Sequence, residues 1–347
     1  MEVTMNRSER ERLGLYFKTL ATQRELKQRD IARKIGHERS MISKIFGGSI
    51  QADEPYERVA EFFGTTLEQS LASAAALVAA LGVMAGDSNP EDEQEPKRGY
   101  VLGVASQKGG VGKTTLSVNL ACALANKDLS VLLLDTDPQG NATSYFGLFS
   151  DGQVFSDVLR GIKSAQELEI TETDFGVDLV MGGDEVRHAR EQISSLEGVR
   201  RFQSIIDPLR DIYDVIIIDT APTMGAFQQA TLAVIDGVIS PMFLEAWSVD
   251  GLEAVLAAIE IVKPQNPDLE FLGSVITKCD TRKKAQQSIL AHLEEHELAN
   301  LLEHHVRTDA KIEESQILSI PVRAHEQKSK SAQDYDKLAE WFVKEVL

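Results

Sequence analysis

A chain of 347 residues with 43% hydrophobic and 26% charged residues exceeds what one ordinary core organises, so two domains joined by a linker are expected. Its net charge of -18 excludes a general polyanion binder: any DNA affinity has to come from local basic patches and to weaken steeply with salt. Cys122 and Cys279 lie far apart within apolar runs, no charged-then-apolar leader is present, and the longest uncharged stretch, 71–86, is shorter than the ~20 residues a membrane span needs; a reduced, cytoplasmic protein is the expectation.

The chain opens on its basic part, where residues 1–50 hold 11 Lys and Arg against 6 Asp and Glu. Leu13, Leu20, Ile31, Ile35, Ile42, Ile45, Val59 and Phe62 recur at helical spacings, with Gly36 and Gly47-Gly48 as stops, which predicts a small all-α domain over 1–70. Within it LKQRDIARKIGHERSMISKIFGG has the spacing of a helix-turn-helix: 28–35 as the first helix, Gly36 as the turn, 38–46 as the second helix, and Ala32 at their close crossing. An Ala-rich helix follows, with Ala72, Ala76 and Ala80 four residues apart; this face suits either a second dimerisation surface or packing within the same module. The segment DSNPEDEQEPKRG, 87–99, is acidic, Pro-containing and free of large apolar residues, so 71–99 is read as a helix and a solvated linker.

From 100 to 347 short β-rich runs alternate with longer amphipathic segments. The predicted strands are 101–106, 131–135, 177–181, 215–219, 237–241, 272–277 and 319–322. Nearly all their residues are apolar rather than alternating, so both faces should be buried, as in a parallel sheet. Helical patterns between them predict a doubly wound α/β domain with a mainly parallel sheet.

Three motifs fall at the ends of these strands. SQKGGVGKTT follows the strand VLGVAS and precedes the amphipathic run LSVNLACALA, the strand-loop-helix context of a P-loop. Glycines let successive N–H groups point inward while the helix N-terminus adds positive partial charge where phosphates sit. Lys113 then contacts the β- and γ-phosphates and the Thr114 hydroxyl completes the coordination of Mg²⁺. In LLLDTDPQGN a strand ends in Asp135 and Asp137 and is broken by Pro138, and VIIIDTAP delivers Asp219 to the same edge. Each acid alone could be a helix cap or turn former; three after buried strands point to the crevice where such folds bind ligands.

KGGVGKTT at 108–115, DTDPQGNATS at 135–144, IIIDTAP at 216–222 and FLEAWSVDGL at 243–252 together resemble the ParA/Soj family of partition ATPases, within the MinD-like group that carries a deviant Walker A motif. The resemblance implies an ATP site formed by Lys108, Gly109, Gly110, Val111, Gly112, Lys113, Thr114 and Thr115, with Thr115 at the α-phosphate. It implies that Lys108 reaches the partner subunit's phosphates across a dimer interface, that Gly109 stays small at that approach, that Asp137 orients the attacking water, and that Asp135 and Asp219 stand with Thr114 around the metal. A homodimer formed on ATP, nonspecific DNA binding, nucleoid association and release by a ParB-type centromere-binding protein are further implications. Lys278, Arg282, Lys283 and Lys284 are the best local candidates for that DNA contact, in competition with the Lys328–Lys330 run.

The helix-turn-helix segment together with VAEFFGTTLEQ resembles the Cro/C1-type repressor domain. That resemblance places Glu38, Arg39, Ser40 and Lys44 on the base-facing side of the recognition helix and Gln28 at a phosphate or base contact, which implies a specific operator and autorepression. Two other readings stay open: a regulator whose ATPase domain only senses nucleotide, and a MinD-like cargo-positioning ATPase. The tail DYDKLAEWFVKEVL is mixed in charge and predicts a packing helix rather than a membrane-binding one.

Overall fold

The computed structural model describes residues 5, 7–24, 26, 28–37, 39–46, 50, 52–80, 98–192, 196–222, 225–245, 248–280, 282–295 and 300–347. The chain divides into two compact units, one made of Met1–Gly99 and Asp211–Asp214 and one made of Tyr100–Arg210 and Val215–Leu347.

The first unit contains helices α1 (Arg7–Gln23), α2 (Gln28–Ile35), α3 (Arg39–Phe46), α4 (Glu54–Phe63) and α5 (Leu67–Ala80). Leu13, Phe17, Ile31, Ile42, Ile45, Tyr56, Val59 and Phe63 are buried together, with Leu20, Ile35 and Phe62 at the edge of the same cluster. Phe17 stacks on Phe63 with ring centroids 5.8 Å apart. Gly36 turns the chain between α2 and α3 at φ +73°. A Cβ on Gly14 would collide with the carbonyl oxygens of Ile45 and Phe46, so α1 crosses the end of α3 where only glycine fits. Glu38, Gly47-Gly48 and most of the predicted linker lie outside the described residues, and the Ala-rich helix is described as far as Ala80.

The second unit runs β1 (Tyr100–Val104), α6 (Lys113–Ala125), β2 (Val131–Asp135), α7 (Asn141–Tyr145), α8 (Gln153–Arg160), β3 (Thr171–Glu172), β4 (Val177–Val180), α9 (Val186–Gln192), α10 (Leu196–Arg210) and β5 (Val215–Asp219). It continues through α11 (Ala226–Leu232), β6 (Gly237–Met242), α12 (Ser248–Val262), β7 (Glu270–Ile276), α13 (Lys284–Glu295), α14 (Ala310–Ile317), α15 (Val322–His325) and α16 (Lys330–Glu345). Among the described residues the strands form one seven-stranded sheet in the order β3-β4-β2-β5-β1-β6-β7. All pairs are parallel except the two-residue edge pair β3–β4. Every residue of β2, β4, β5 and β6 is buried, as strands covered by helices on both faces require.

The segment 319–322 is not a strand. Ser319 is left-handed at φ +54°, Pro321 caps α15, and the Val322 N–H donates to Asn119 Oδ1 at 2.9 Å instead of joining a ladder. Val322 is buried in the core cluster that holds Leu120 and Phe342 while Ile320 is half-buried, a context that an apolar run of this length does not distinguish from a buried strand. The tail forms α16, whose Tyr335, Leu338, Ala339 and Phe342 are buried, with Phe342 edge-on to Tyr100 at 5.5 Å. Cys122 and Cys279 are buried free thiols. Among the described residues no helix is long and apolar enough to cross a membrane.

Candidate nucleotide site

The strand order puts β1 between β5 and β6, so the loop after β1 opens into the crevice at the carboxyl edge where connections diverge to opposite sides. That loop turns through Gly110 (φ +73°) and Gly112 (φ +91°), conformations that strain any residue with a Cβ. The second glycine ends one residue before α6 starts at Lys113. The first N–H groups of α6 have no partner within the helix and point with its dipole into the crevice.

Lys113 is 7% exposed, and its Nζ reaches back to the Lys108 carbonyl at 3.3 Å. Burial lowers its pKa, against the pull of Asp219 and then Asp137. Such a cation in a closed loop is stabilised by an anion placed above it. The Thr114 hydroxyl donates to Asp219 Oδ2 at 2.8 Å, and Ser117 Oγ donates to Asp219 Oδ1 at 2.8 Å. Asp135 and Asp219 stand side by side in the β2–β5 register and are both fully buried. Burial pushes the Asp219 carboxyl up, with the neighbouring Asp135 charge the next cause; burial also pushes Asp135 up, against hydrogen bonds from Thr143.

Asp135 has a second task. Its Oδ2 accepts from the Thr143 N–H and hydroxyl, each at 2.8 Å, and its Oδ1 accepts from the Asp137 N–H at 3.2 Å. The carboxylate therefore holds the turn that carries Asp137. Asp137 is 7% exposed, accepts from the Gln139 N–H at 3.0 Å and lines the same cleft as Lys113, Thr114 and Thr115. A hydroxyl beside two buried carboxylates is a hard-oxygen donor set, and it fits Mg²⁺.

The cleft has a volume of about 640 Å³, and its lining includes Gly109–Thr115, Asp137, Tyr145, Val306, Thr308, Ile312, Gln316 and Tyr335. Gln316 Nε2 donates to Thr115 Oγ1 at 2.9 Å, tying α14 to the start of α6. Loop donors, a buried lysine and apolar side chains such as Val306 and Ile312 thus line one cleft, the combination a nucleotide requires.

Lys108 points elsewhere. Its side chain is 34% exposed and its Nζ lies 2.6 Å from Glu245 Oε2. Gly251 gives it room, since a Cβ there would be 3.4 Å from Lys108 Cβ. Nothing within 4 Å meets a Cβ built on Gly109, so no neighbour in this chain demands a glycine at that position. Phe243, Glu245 and Gly251 all lie in FLEAWSVDGL, where the resemblance was the only signal; for Gln316, which like Phe243 lines the cleft, the sequence carried none.

The residues proposed for DNA contact have different surroundings. Lys278 lines the cleft, with its Nζ 5.5 Å from the Phe243 ring centroid. Arg282 pairs with Asp280 through Nε at 2.9 Å and Nη2 at 3.1 Å. Lys283 and Lys284 are exposed at the start of α13. In the first unit Gln28 opens α2, while Arg39, Ser40 and Lys44 share α3.

Residues 99–271 match the family AAA_31, an AAA domain. Over 251 residues the chain is 30% identical to the chromosome partitioning protein ParA of Myxococcus xanthus, covering 71% of this chain and 88% of that protein. The chain belongs to the ParA family of P-loop ATPases. The chromosome-partitioning ATPase Soj of Thermus thermophilus is a further ParA-family relative, 31% identical over 242 residues, 69% of this chain and 93% of that one. Among solved structures, cobyrinic acid a,c-diamide synthase of Mycobacterium smegmatis with bound ATP analog and magnesium is 27% identical, with a TM-score of 0.62 over 71% of this chain and 95% of that one. The cell division ATPase MinD of Pyrococcus furiosus, 24% identical with a TM-score of 0.58 over 71% of this chain and 99% of that one, shares the fold of the ParA-family unit.

Proposed function

We propose that this ParA-family chain is a DNA partition ATPase that closes into a dimer on ATP, holds nonspecific DNA in that state, and is released when a ParB-type partner stimulates hydrolysis. The observation that carries the reading is the difference between two lysines of one loop: Lys113 is buried and lines the cleft, whereas Lys108 is partly exposed and paired with Glu245. A partly exposed ion pair contributes about 0–1 kcal/mol, so drawing Lys108 from Glu245 to a second subunit's phosphates is inexpensive. The open space around Gly109 is what a close approach by that subunit would use.

In the closed dimer Lys113 and the loop N–H groups bind the β- and γ-phosphates, Asp137 orients the attacking water, and Lys108 adds positive charge from across the interface as negative charge gathers on the terminal phosphate. Thr114 and Asp219, backed by Asp135, would hold Mg²⁺; when bound, the ion neutralises charge on the phosphates. Turnover then depends on association, which couples hydrolysis to release. Lys283 and Lys284, exposed at the head of α13, suit the nonspecific DNA contact better than Arg282, whose charge is engaged by Asp280. The α2–α3 pair suits a helix-turn-helix that reads an operator through Arg39, Ser40 and Lys44, with autorepression as its role.

Retention of a random-sequence duplex on the purified full chain tests the proposal. It should appear with ATP, disappear with ADP and be lost in Lys108→Ala. Equal retention with both nucleotides would contradict it.

A further inference from the structure

The peptide that joins Thr136 to Asp137 is held from both sides. Its N–H, that of Asp137, donates to Asp135 Oδ1 at 3.2 Å. Its carbonyl, that of Thr136, accepts from Arg190 Nη1 at the long distance of 3.5 Å. Thr136 itself is buried, and its N–H and hydroxyl both donate to the Asp219 carbonyl, at 3.1 and 2.7 Å. The loop that carries Asp137 is thus tied to β2 and β5 by the acid cluster and to α9 by one arginine.

Arg190 is seated by a second contact. Its guanidinium carbon lies 5.2 Å from the Phe227 ring centroid, and that buried ring is itself held edge-on by Phe202 at 5.7 Å. An aromatic face fixes a guanidinium without neutralising it, so a half-buried positive charge is delivered beside the Thr136–Asp137 peptide. Burial lowers the Arg190 pKa, and the Asp137 charge opposes that shift. Among the described residues Arg190 does not line the cleft; it acts on the loop rather than on a molecule in the cleft.

The electrostatics give this placement a use. Asp137 and Lys113 line the same cleft, and the Asp137 charge acts on Lys113 as well. A carboxylate drawn only toward that lysine is pulled into the space that phosphates need. A second cation, fixed beside the loop and partly withdrawn from water, opposes the pull. We propose that Arg190 is a positioning residue for ATP hydrolysis: seated on Phe227 and bonded to the Thr136 carbonyl, it holds the Asp137 carboxylate where the attacking water is oriented. This role rests on Asp137 orienting that water in a nucleotide site. Arg190 then governs turnover and not ATP binding, because Lys113 and the loop N–H groups hold the phosphates.

Calorimetric binding of Mg-ATP and steady-state hydrolysis by the full chain test this role in wild type, Arg190→Ala, Arg190→Met, Arg190→Lys and Asp137→Ala. Arg190→Ala should lower kcat by about ten- to a hundred-fold, the scale of a misplaced reacting group, with the ATP dissociation constant within about two-fold of wild type. Arg190→Met keeps an apolar stem against Phe227 without the charge and should turn over as slowly as the alanine variant. Arg190→Lys restores the charge and should recover part of kcat, though not all, because the planar fork is lost. Unchanged kcat in Arg190→Ala would overturn the proposal. So would a parallel loss of ATP affinity, or full recovery in Arg190→Met, either of which marks a packing role alone. Asp137→Ala separates the two claims: if it hydrolyses ATP as wild type does, or if wild type binds no ATP, the reading of the site fails and takes this inference with it.

Discussion

At the scale of single residues, the acids of the site are differentiated by what surrounds them. Asp137 lies at the cleft surface, Asp135 is consumed by the turn it stabilises, and Asp219 is sealed beneath Thr114 and Ser117. The Asp219 carboxyl is pushed up to about 7, first by burial and then by Asp135. A carboxyl raised in the fold favours its protonated form, so without a metal this group weakens the fold as pH rises from the unfolded carboxylate range toward 7. A divalent cation has to displace that proton. Mg-ATP affinity should therefore rise with pH between about 6 and 8 and level off above, as titration calorimetry in a series of buffers would record. A flat profile would mean that the Asp219 proton is not in competition with the metal. The sequence made all three acids legible as an edge cluster, because carboxylates that end apolar strands have few places to go. It did not separate their tasks, since the Thr143 and Ser117 hydroxyls that distinguish Asp135 from Asp219 come from helices whose approach only the fold defines.

At the scale of elements, α6 is the hub. Asn119 Nδ2 donates to the Thr115 carbonyl at 2.8 Å and to Tyr145 Oη at 3.2 Å, and Oδ1 accepts from the Val322 N–H at 2.9 Å. Tyr145 Oη in turn shares a hydrogen bond with Ser315 Oγ at 3.0 Å. One buried amide thus joins α6, α7, α14 and α15 behind the cleft. Asn119→Ala leaves several of these groups without partners, so it should lower the unfolding free energy by about 2–3 kcal/mol; a loss under about 0.5 kcal/mol in denaturant titration would show that water replaces the amide. The parallel strands were legible because their apolar runs are continuous, and α2 and α3 because isoleucines recur around Gly36. The segment 319–322 was misread because an apolar run bounded by turn formers fits a strand as well as a buried connection, and the bond from Val322 to Asn119 spans 203 residues. The edge strand β3 has two residues, Thr171 and Glu172, too few for any period to register.

At the scale of the whole molecule, a strongly acidic chain carries its positive excess at the amino end, and under the proposed function specific and nonspecific DNA binding fall to different units. Arg39→Ala should abolish binding to the chain's own operator, by about 1–3 kcal/mol or more per lost base contact, while ATP-dependent retention of random duplex persists. Equal loss of both in gel shifts would sink that division of labour. The account as a whole depends on Lys108 acting across a dimer. In an Asp137→Ala background, where bound ATP should persist, sedimentation velocity would read a dimer with ATP and a monomer with ADP. Adding Lys108→Ala should give monomer with either nucleotide although ATP still binds; a doubly substituted chain that dimerises on ATP as the single variant does would contradict the trans-acting lysine.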